Sequence, residues 1–240
     1  MEQRSFFPEK YRRLSGSALK LIAVVAMFID HCGVCFEPLL RSPRLTLLGL
    51  TVTPYLALRF VGQLAFPIYC FLLAEGFRHT RDRGRYALRL LLFALLSELP
   101  FNLFRSGALL FDNQNVFFTL LLGYMGLWAL EAFRREPAKQ LFSIAAFFAA
   151  ACFLNADYGW SGYLFILLIY LLGQWPAVQA LACSSMIPWH VGVGLAFLPI
   201  NCYNGQRGFV RSTWLKYAFY AFYPLHLLLL WQIHLRLFGY

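Results

Sequence analysis

The sequence predicts an all-α fold, a polytopic bundle of transmembrane helices that forms a single membrane domain over residues 1–240. Of these residues 60% are hydrophobic and only 13% are charged, whereas soluble domains are about 45–50% apolar and about 25% charged. The mean hydropathy is +0.59. The apolar residues also form runs that are long enough to cross a bilayer, and short basic segments separate these runs.

We expect about eight of the apolar segments to cross the membrane, within a range of about seven to ten. Segment 44–58 is short and contains a proline, so we expect it to be re-entrant or interfacial. Segment 176–203 is too long for one ordinary crossing, and we expect two short helices there. The segments that can be read are 19–37, 44–58, 60–77, 85–104, 115–133, 138–155, 158–173, 176–203 and 214–238.

The net charge of +10 lies in short segments between the apolar runs, which is typical of membrane topology and not of nucleic-acid binding. The N-terminal segment 1–18, segment 78–89 and segment 134–139 share a side if 44–58 does not cross. That side should be cytoplasmic, so we expect a cytoplasmic N-terminus. Segment 204–216 joins them if 176–203 crosses twice, which would leave the C-terminus outside.

Ionisable side chains inside membrane spans are costly and therefore become functional candidates. Alternatives remain for several of them, since helix capping explains Asn115 and Asp157 equally well and helix packing explains a tyrosine stripe that includes Tyr223. The residues expected to line a cavity are Arg59, Glu75, Asn102, Asn115, Asp157, Tyr223 and His226, with Asp30, His31 and Glu98 as catalytic candidates.

Lys20 and His31 are expected to share one face of the first helix. Eleven residues correspond to three turns plus about 20°, and to about 16 Å along the axis. A cation at the entrance and an acid–base group inside suit a long ligand such as an acyl-coenzyme A. Alternatively, Lys20 reaches the interface as lysines often do, and His31 binds a buried carbonyl.

A carboxylate that orients His31 is expected to come from another helix, with Glu98 as the candidate. Asp30 is adjacent to His31 in sequence, and neighbouring side chains on a helix point about 100° apart. The run that begins at Arg78 and continues through His79, Arg81 and Arg83 offers either an anion site at the cytoplasmic face or a topology signal.

Six motifs, in order over residues 19 to about 230, resemble the TraX family of membrane proteins. The resemblance implies a bacterial cytoplasmic membrane protein, since the family is named for conjugation and its type member N-acetylates a pilin amino terminus. The family is also similar to the acyltransferase-3 superfamily, whose first span has a basic residue and a histidine separated by ten residues. The motifs are LKLIAVVAMFIDHCG, RFVGQLAFPIYCFLLAEGFRHTRDRGRYALRLLLFALLSELPFNL, NVFFTLLLG, ADYGWSGYL, YNGQRG and KYAFYAFYPLHLLLL.

The resulting hypothesis is transfer of an acyl group, most simply acetyl, from coenzyme A to an amine or hydroxyl. His31 would be the general base, aided by Glu98 or Asp30. Lys20 and the arginines at 78–85 would hold the phosphates of acetyl-CoA, and no metal is needed. The expected partners are membrane lipid and an acceptor that is a protein N-terminus, a peptide, a glycan or a small molecule; an oligomer is possible.

Two other classes of function remain open at the level of sequence. Membrane carboxylates and histidines also build proton relays, so a proton-coupled transporter or a lipid-handling protein is one alternative. A structural component of conjugation or secretion is another, and it predicts that substitution of His31 is harmless to assembly.

Overall fold

The computed structural model describes residues 4–42, 45–47, 50–110, 112–188 and 190–239. Apart from one hairpin and a 3-10 turn at Glu9–Tyr11, the elements described there are α-helices. In chain order they are α1 Gly16–Cys35, α2 Glu37–Leu40, β1 Leu45–Leu47, β2 Leu50–Val52, α3 Pro54–Gly62, α4 Ala65–His79, α5 Arg83–Ser106, α6 Val116–Ala132, α7 Pro137–Phe153, α8 Gly159–Leu171, α9 Pro176–Ser185, α10 Gly192–Leu195, α11 Phe197–Asn201 and α12 Thr213–Phe238.

The predicted helical membrane fold is confirmed in its class. Among the described residues three helices are long and apolar enough to cross a membrane: Gly16–Cys35, α3 and α4 together as Pro54–His79, and Arg83–Ser106. The shorter apolar helices, such as Val116–Ala132, have 10–17 residues. At about 1.5 Å per residue these reach about 25 Å, less than the hydrocarbon core of about 30 Å. The total of about eight spans therefore stays a prediction.

Segment 44–58 adds a β-hairpin to the otherwise helical fold. Strands β1 and β2 pair antiparallel, with Leu45 opposite Val52. The alternation of leucine, threonine and valine favours extended backbone there. Thr53 is the N-cap of α3, and its hydroxyl accepts a hydrogen bond from the N–H of Leu56 at 3.2 Å. The all-helical prediction missed the hairpin because it read this segment only as apolar.

In its described residues, segment 176–203 consists of three short helices, α9 to α11, where two were predicted. Both of its ends lie at the same end of the bundle, because adjacent residues near the N-terminus bind them. The N–H of Arg4 donates to the carbonyl of Gly173 at 2.8 Å, and the hydroxyl of Ser5 donates to the carbonyl of Asn201 at 2.5 Å. The segment therefore runs into the bundle and returns.

Four basic segments meet at one end of the molecule, which we call the basic end. They are residues 4–13, 78–89, 134–139 and 204–216. The chain just after the first segment is bonded to the last, since the N–H of Gly16 donates to the carbonyl of Gln206 at 2.8 Å. Arginines of the first three line one common cavity. The structure thus groups the segments that the sequence placed on one side, and the cytoplasmic location of that side stays a prediction.

The packing of the long helices leaves a space in the middle of the bundle. Helix α1 packs against α3 and α4 on one side and against α12 on the other, and α12 also packs against α5. Helices α6 and α8 approach closely, since a Cβ at Gly126 would lie 2.7 Å from the hydroxyl of Tyr163. Small residues commonly permit such contacts between membrane helices. The space bounded by α1, α4, α5, α6 and α12 holds the candidate site.

Candidate active site

The main site candidate is a cavity of about 1030 Å³ that follows α1 through the bundle. Gly16, Ser17 and Lys20 line it near the basic end, and Asp30 and His31 line it further along the same helix. The predicted face of the first helix is therefore the face that borders the cavity. Lys20 and His31 are separated by about 16 Å along the helix axis.

His31 is hydrogen-bonded to His226 inside the bundle. The Nδ1 atom of His31 lies 2.7 Å from Nε2 of His226. The ring centroids are 4.9 Å apart and the ring planes differ by only 22°, so the two rings meet edge to edge. His226 is buried, and it holds the cavity-lining His31 from the side of α12.

The tautomers of both histidines follow from their partners. The Nδ1 atom of His226 lies 2.7 Å from the carbonyl oxygen of Phe222, which can only accept, so this nitrogen carries hydrogen. In the neutral ring Nε2 of His226 is then an acceptor, and Nδ1 of His31 must donate to it. The Nε2 atom of His31 is consequently left with a lone pair, which is what a general base requires.

Aromatic rings surround the histidine pair. The ring of His31 lies 5.4 Å from that of Phe104 and 6.2 Å from that of Tyr223, measured between centroids. Tyr223 is buried and lines the cavity, as predicted for a cavity residue. These rings form part of the wall around His31, beside the charged residues Asp30 and Arg59 that also line the cavity.

The predicted carboxylate partner of His31 is replaced by His226. Asp30 points to α3, where its carboxylate forms an ion pair with Arg59. The pair is partly buried, with 19% of the Asp30 side chain and 32% of the Arg59 side chain exposed. Both residues line the cavity, so the pair forms a charged but neutralised part of its wall. The helical geometry explains this, since adjacent residues face different neighbours.

Glu98 is bound to the beginning of α6 and does not orient His31. The side-chain amide of Asn115 donates to Glu98 at 2.6 Å and to the carbonyl of Ala94 at 2.8 Å. The amide oxygen of Asn115 caps α6 by accepting from the N–H of Phe117 at 3.1 Å. Asn102 likewise has a local partner, the carbonyl of Leu109 at 3.1 Å. These three predicted cavity or catalytic residues connect helix ends, a role that the capping alternative had covered for Asn115.

Four cations gather where the cavity nears the basic end, and we call them the basic mouth: Lys20, Arg89, Arg207 and Lys216. Lys20 lies over the ring of Phe219, with its Nζ 5.4 Å from the centroid. Within the part of the chain that the structure describes, no salt bridge neutralises these four cations. The sequence pattern had assigned Arg207 and Lys216 to topology, so only the fold shows that they face a cavity.

The predicted phosphate cluster is divided between two places. Arg78 is bound by Glu75 at 2.5 Å and donates to the carbonyl of Tyr170 at 3.1 Å. It lines a second cavity together with Arg83, whereas Glu75 and His79 border both cavities. Arg81 is exposed and lines neither of them. The run therefore does not act as one cluster at the main cavity.

Asp157 borders the main cavity at the end opposite the basic mouth, together with Arg105, which the sequence reasoning missed. Its backbone is fixed, because the hydroxyl of Thr119 donates to the carbonyl of Asp157. The next residue, Tyr158, has a φ of 66° and stacks on Phe66 with ring centroids 3.7 Å apart. A non-glycine residue in this conformation is uncommon and often marks a functional turn.

A family model and a known protein both match this chain over nearly its whole length. The family model described as TraX protein matches residues 15–234. The chain is 31% identical to a protein of Dichelobacter nodosus described as "Probable fimbrial assembly protein FimC, serogroup H1", over 90% of this chain and 94% of that protein. No solved structure matches the chain significantly.

Proposed function

Because the chain belongs to the TraX family, we propose that it is a membrane acyltransferase that moves an acetyl group from acetyl-CoA to an amine. The observation that carries the proposal is the histidine pair, which leaves Nε2 of His31 free to accept a proton. The fimbrial name of the relative suits an acceptor that is the amino terminus of a fimbrial or other surface protein. The spacing of Lys20 and His31 in the first helix, which the sequence likens to the acyltransferase-3 superfamily, is in keeping with the same reaction.

The donor is proposed to lie along α1. The basic mouth supplies four cations that suit phosphates, namely Lys20, Arg89, Arg207 and Lys216, and no carboxylate forms a salt bridge with any of them in the described chain. A distance of about 16 Å to His31 matches a ligand with its anionic groups at one end and a thioester at the other. The proposed position of acetyl-CoA thus rests on the cations of the basic mouth and on the cavity volume of about 1030 Å³.

The reaction is a direct transfer. The amine nitrogen forms a bond to the acyl carbon while the carbon–sulfur bond breaks, and the proton of the amine passes to Nε2 of His31. His31 then becomes an imidazolium whose Nδ1–H hydrogen bond to His226 is charge-assisted and therefore stronger. The proton finally passes to the departing thiolate, which restores the base.

The test uses the full chain purified in nanodiscs, labelled acetyl-CoA and a peptide that carries a free fimbrial amino terminus. His31→Ala should abolish transfer of label, whereas acetyl-CoA should still protect this variant against thermal unfolding. Full transfer by His31→Ala would refute the mechanism. Absence of any acetyl-CoA protection in the unmodified protein would favour a transporter or lipid-handling protein.

A further inference from the structure

The second cavity lies at the basic end and has a volume of about 870 Å³. It borders the main cavity along Glu75, His79, Tyr203 and Gly205, which line both. Its walls come from the N-terminal segment and from the ends of several helices, so it depends on the folded bundle. We call it the arginine cavity after five of its lining residues: Arg4, Arg12, Arg78, Arg83 and Arg134.

The arginine cavity is strongly cationic. Five arginines and two carboxylates, Glu75 and Glu131, give it a net charge of +3 when His79 is neutral. One carboxylate is bound to Arg78, and the other accepts a hydrogen bond from the hydroxyl of Tyr170 at 2.7 Å. Arg12, Arg83 and Arg134 form no salt bridge with a carboxylate in the part of the chain that the structure describes.

Two of the arginines lie over aromatic rings. The guanidinium of Arg78 lies 4.8 Å from the ring centroid of Tyr170, and that of Arg83 lies 4.4 Å from that of Phe77. Arg78 already donates to Glu75 and to the carbonyl of Tyr170, whereas the planar guanidinium of Arg83 forms no salt bridge among the described residues and suits bidentate binding of phosphate oxygens. A topology signal would need positive charge at this end, but it would not need oriented arginines around a cavity.

The N-terminal segment closes the cavity by specific hydrogen bonds. The N–H of Phe6 donates to the side-chain oxygen of Asn201 at 2.8 Å, and Nε of Arg12 donates to the carbonyl of Tyr203 at 3.0 Å. These contacts bring the N-terminal arginines to the cavity. Burial, together with the nearby Glu75 carboxylate, raises the pKa of Tyr203 to about 12. Tyr203 and Glu75 both belong to the wall that the two cavities share.

We propose that the arginine cavity is a second anion site that binds a phosphorylated compound apart from the basic mouth. The shared chemistry is a phosphate or diphosphate group, and its source is either a soluble nucleotide or the headgroup of an anionic lipid. This proposal does not depend on the acyl-transfer reaction, since it rests on the charge and geometry of a different cavity.

Binding of ADP to the full chain in phosphatidylcholine nanodiscs, measured by calorimetry, tests the proposal. Arg83→Ala/Arg134→Ala should weaken ADP binding by about tenfold or more, and the exposed Arg134→Ala alone should also weaken it. Arg81→Ala/Arg135→Ala removes the same charge from exposed arginines that line neither cavity, and it should leave binding unchanged.

Competition then identifies the source. Displacement of ADP by dioctanoyl phosphatidylglycerol assigns the site to lipid headgroups, and failure of displacement assigns it to soluble phosphates; both results uphold a phosphate site. The proposal is overturned by absence of saturable ADP binding, or by equal weakening in the control variant. It is also overturned if Lys20→Ala removes the binding, because ADP would then occupy the basic mouth.

Discussion

His226 fixes the tautomer of His31, although the two histidines are 195 residues apart in the chain. Two hydrogen bonds form a chain: His31 donates to His226, and His226 donates to the carbonyl of Phe222. In the proposed mechanism a neutral imidazole takes the orienting role that a carboxylate has in other base–orienter pairs. The site therefore becomes cationic when His31 accepts a proton, and His226 disperses that charge.

Replacement of His226 is the sharpest test of this relationship. We expect His226→Ala to lower kcat by about 10²-fold with little change in KM for acetyl-CoA, because the base loses its orientation and the donor contacts lie elsewhere. His226→Gln should recover part of kcat, since its amide oxygen can accept the same hydrogen bond. Steady-state acetylation of an amine-bearing peptide measures both parameters.

The control for this substitution is His234→Ala. His234 lies on the same helix and bonds the carbonyl of Cys35 on α1 at 2.7 Å, but it does not line the main cavity. We expect His234→Ala to have the same kcat as the unmodified protein. An equal loss in both variants would mean that histidine contacts between α12 and α1 matter for packing alone.

Lys20 should act on the donor and not on the chemical step. We expect Lys20→Ala to raise KM for acetyl-CoA by about tenfold with kcat nearly unchanged, because one charge-assisted contact to phosphate is lost. Lys10→Ala is the control, since Lys10 also lies in a basic segment but lines neither cavity. A fall in kcat at constant KM would contradict the donor role of Lys20.

The sequence could predict the register of Lys20 and His31 because helical periodicity is a local property. It could not predict that His226 binds His31, because that contact depends on how two distant helices pack. Asp30 and Arg59 were both candidates, but the sequence could not predict their ion pair, because it also depends on how two helices pack. Charges between apolar runs satisfy membrane topology on their own, so the cavity-facing position of Lys216 left no separate signal in the sequence.

Glu98 and Asn115 provide a test between catalysis and structure. Glu98→Gln should keep most of the activity, since an amide oxygen can still accept from Asn115. Asn115→Ala should lower the free energy of unfolding by about 2 kcal/mol, because it removes the cap of α6 and leaves buried backbone groups unpaired. Activity and detergent unfolding of both variants check this. Loss of activity in a stable Glu98→Gln would restore Glu98 as a catalytic residue.

Gly62 should be required for the position of the Asp30–Arg59 pair. A Cβ at this position would overlap the carboxylate of Asp30, so Gly62→Ala must displace either the pair or α3. We expect the free energy of unfolding to fall by about 1–3 kcal/mol.

Gly84→Ala is the matched control, because its Cβ would meet nothing nearer than 3.7 Å, and alanine should stabilise that helix by up to about 1 kcal/mol. Unfolding of the two variants in the same detergent gives the comparison. A neutral Gly62→Ala would show that the wall of the cavity beside His31 is soft enough to repack, and it would remove the argument that the ion pair is held in one place.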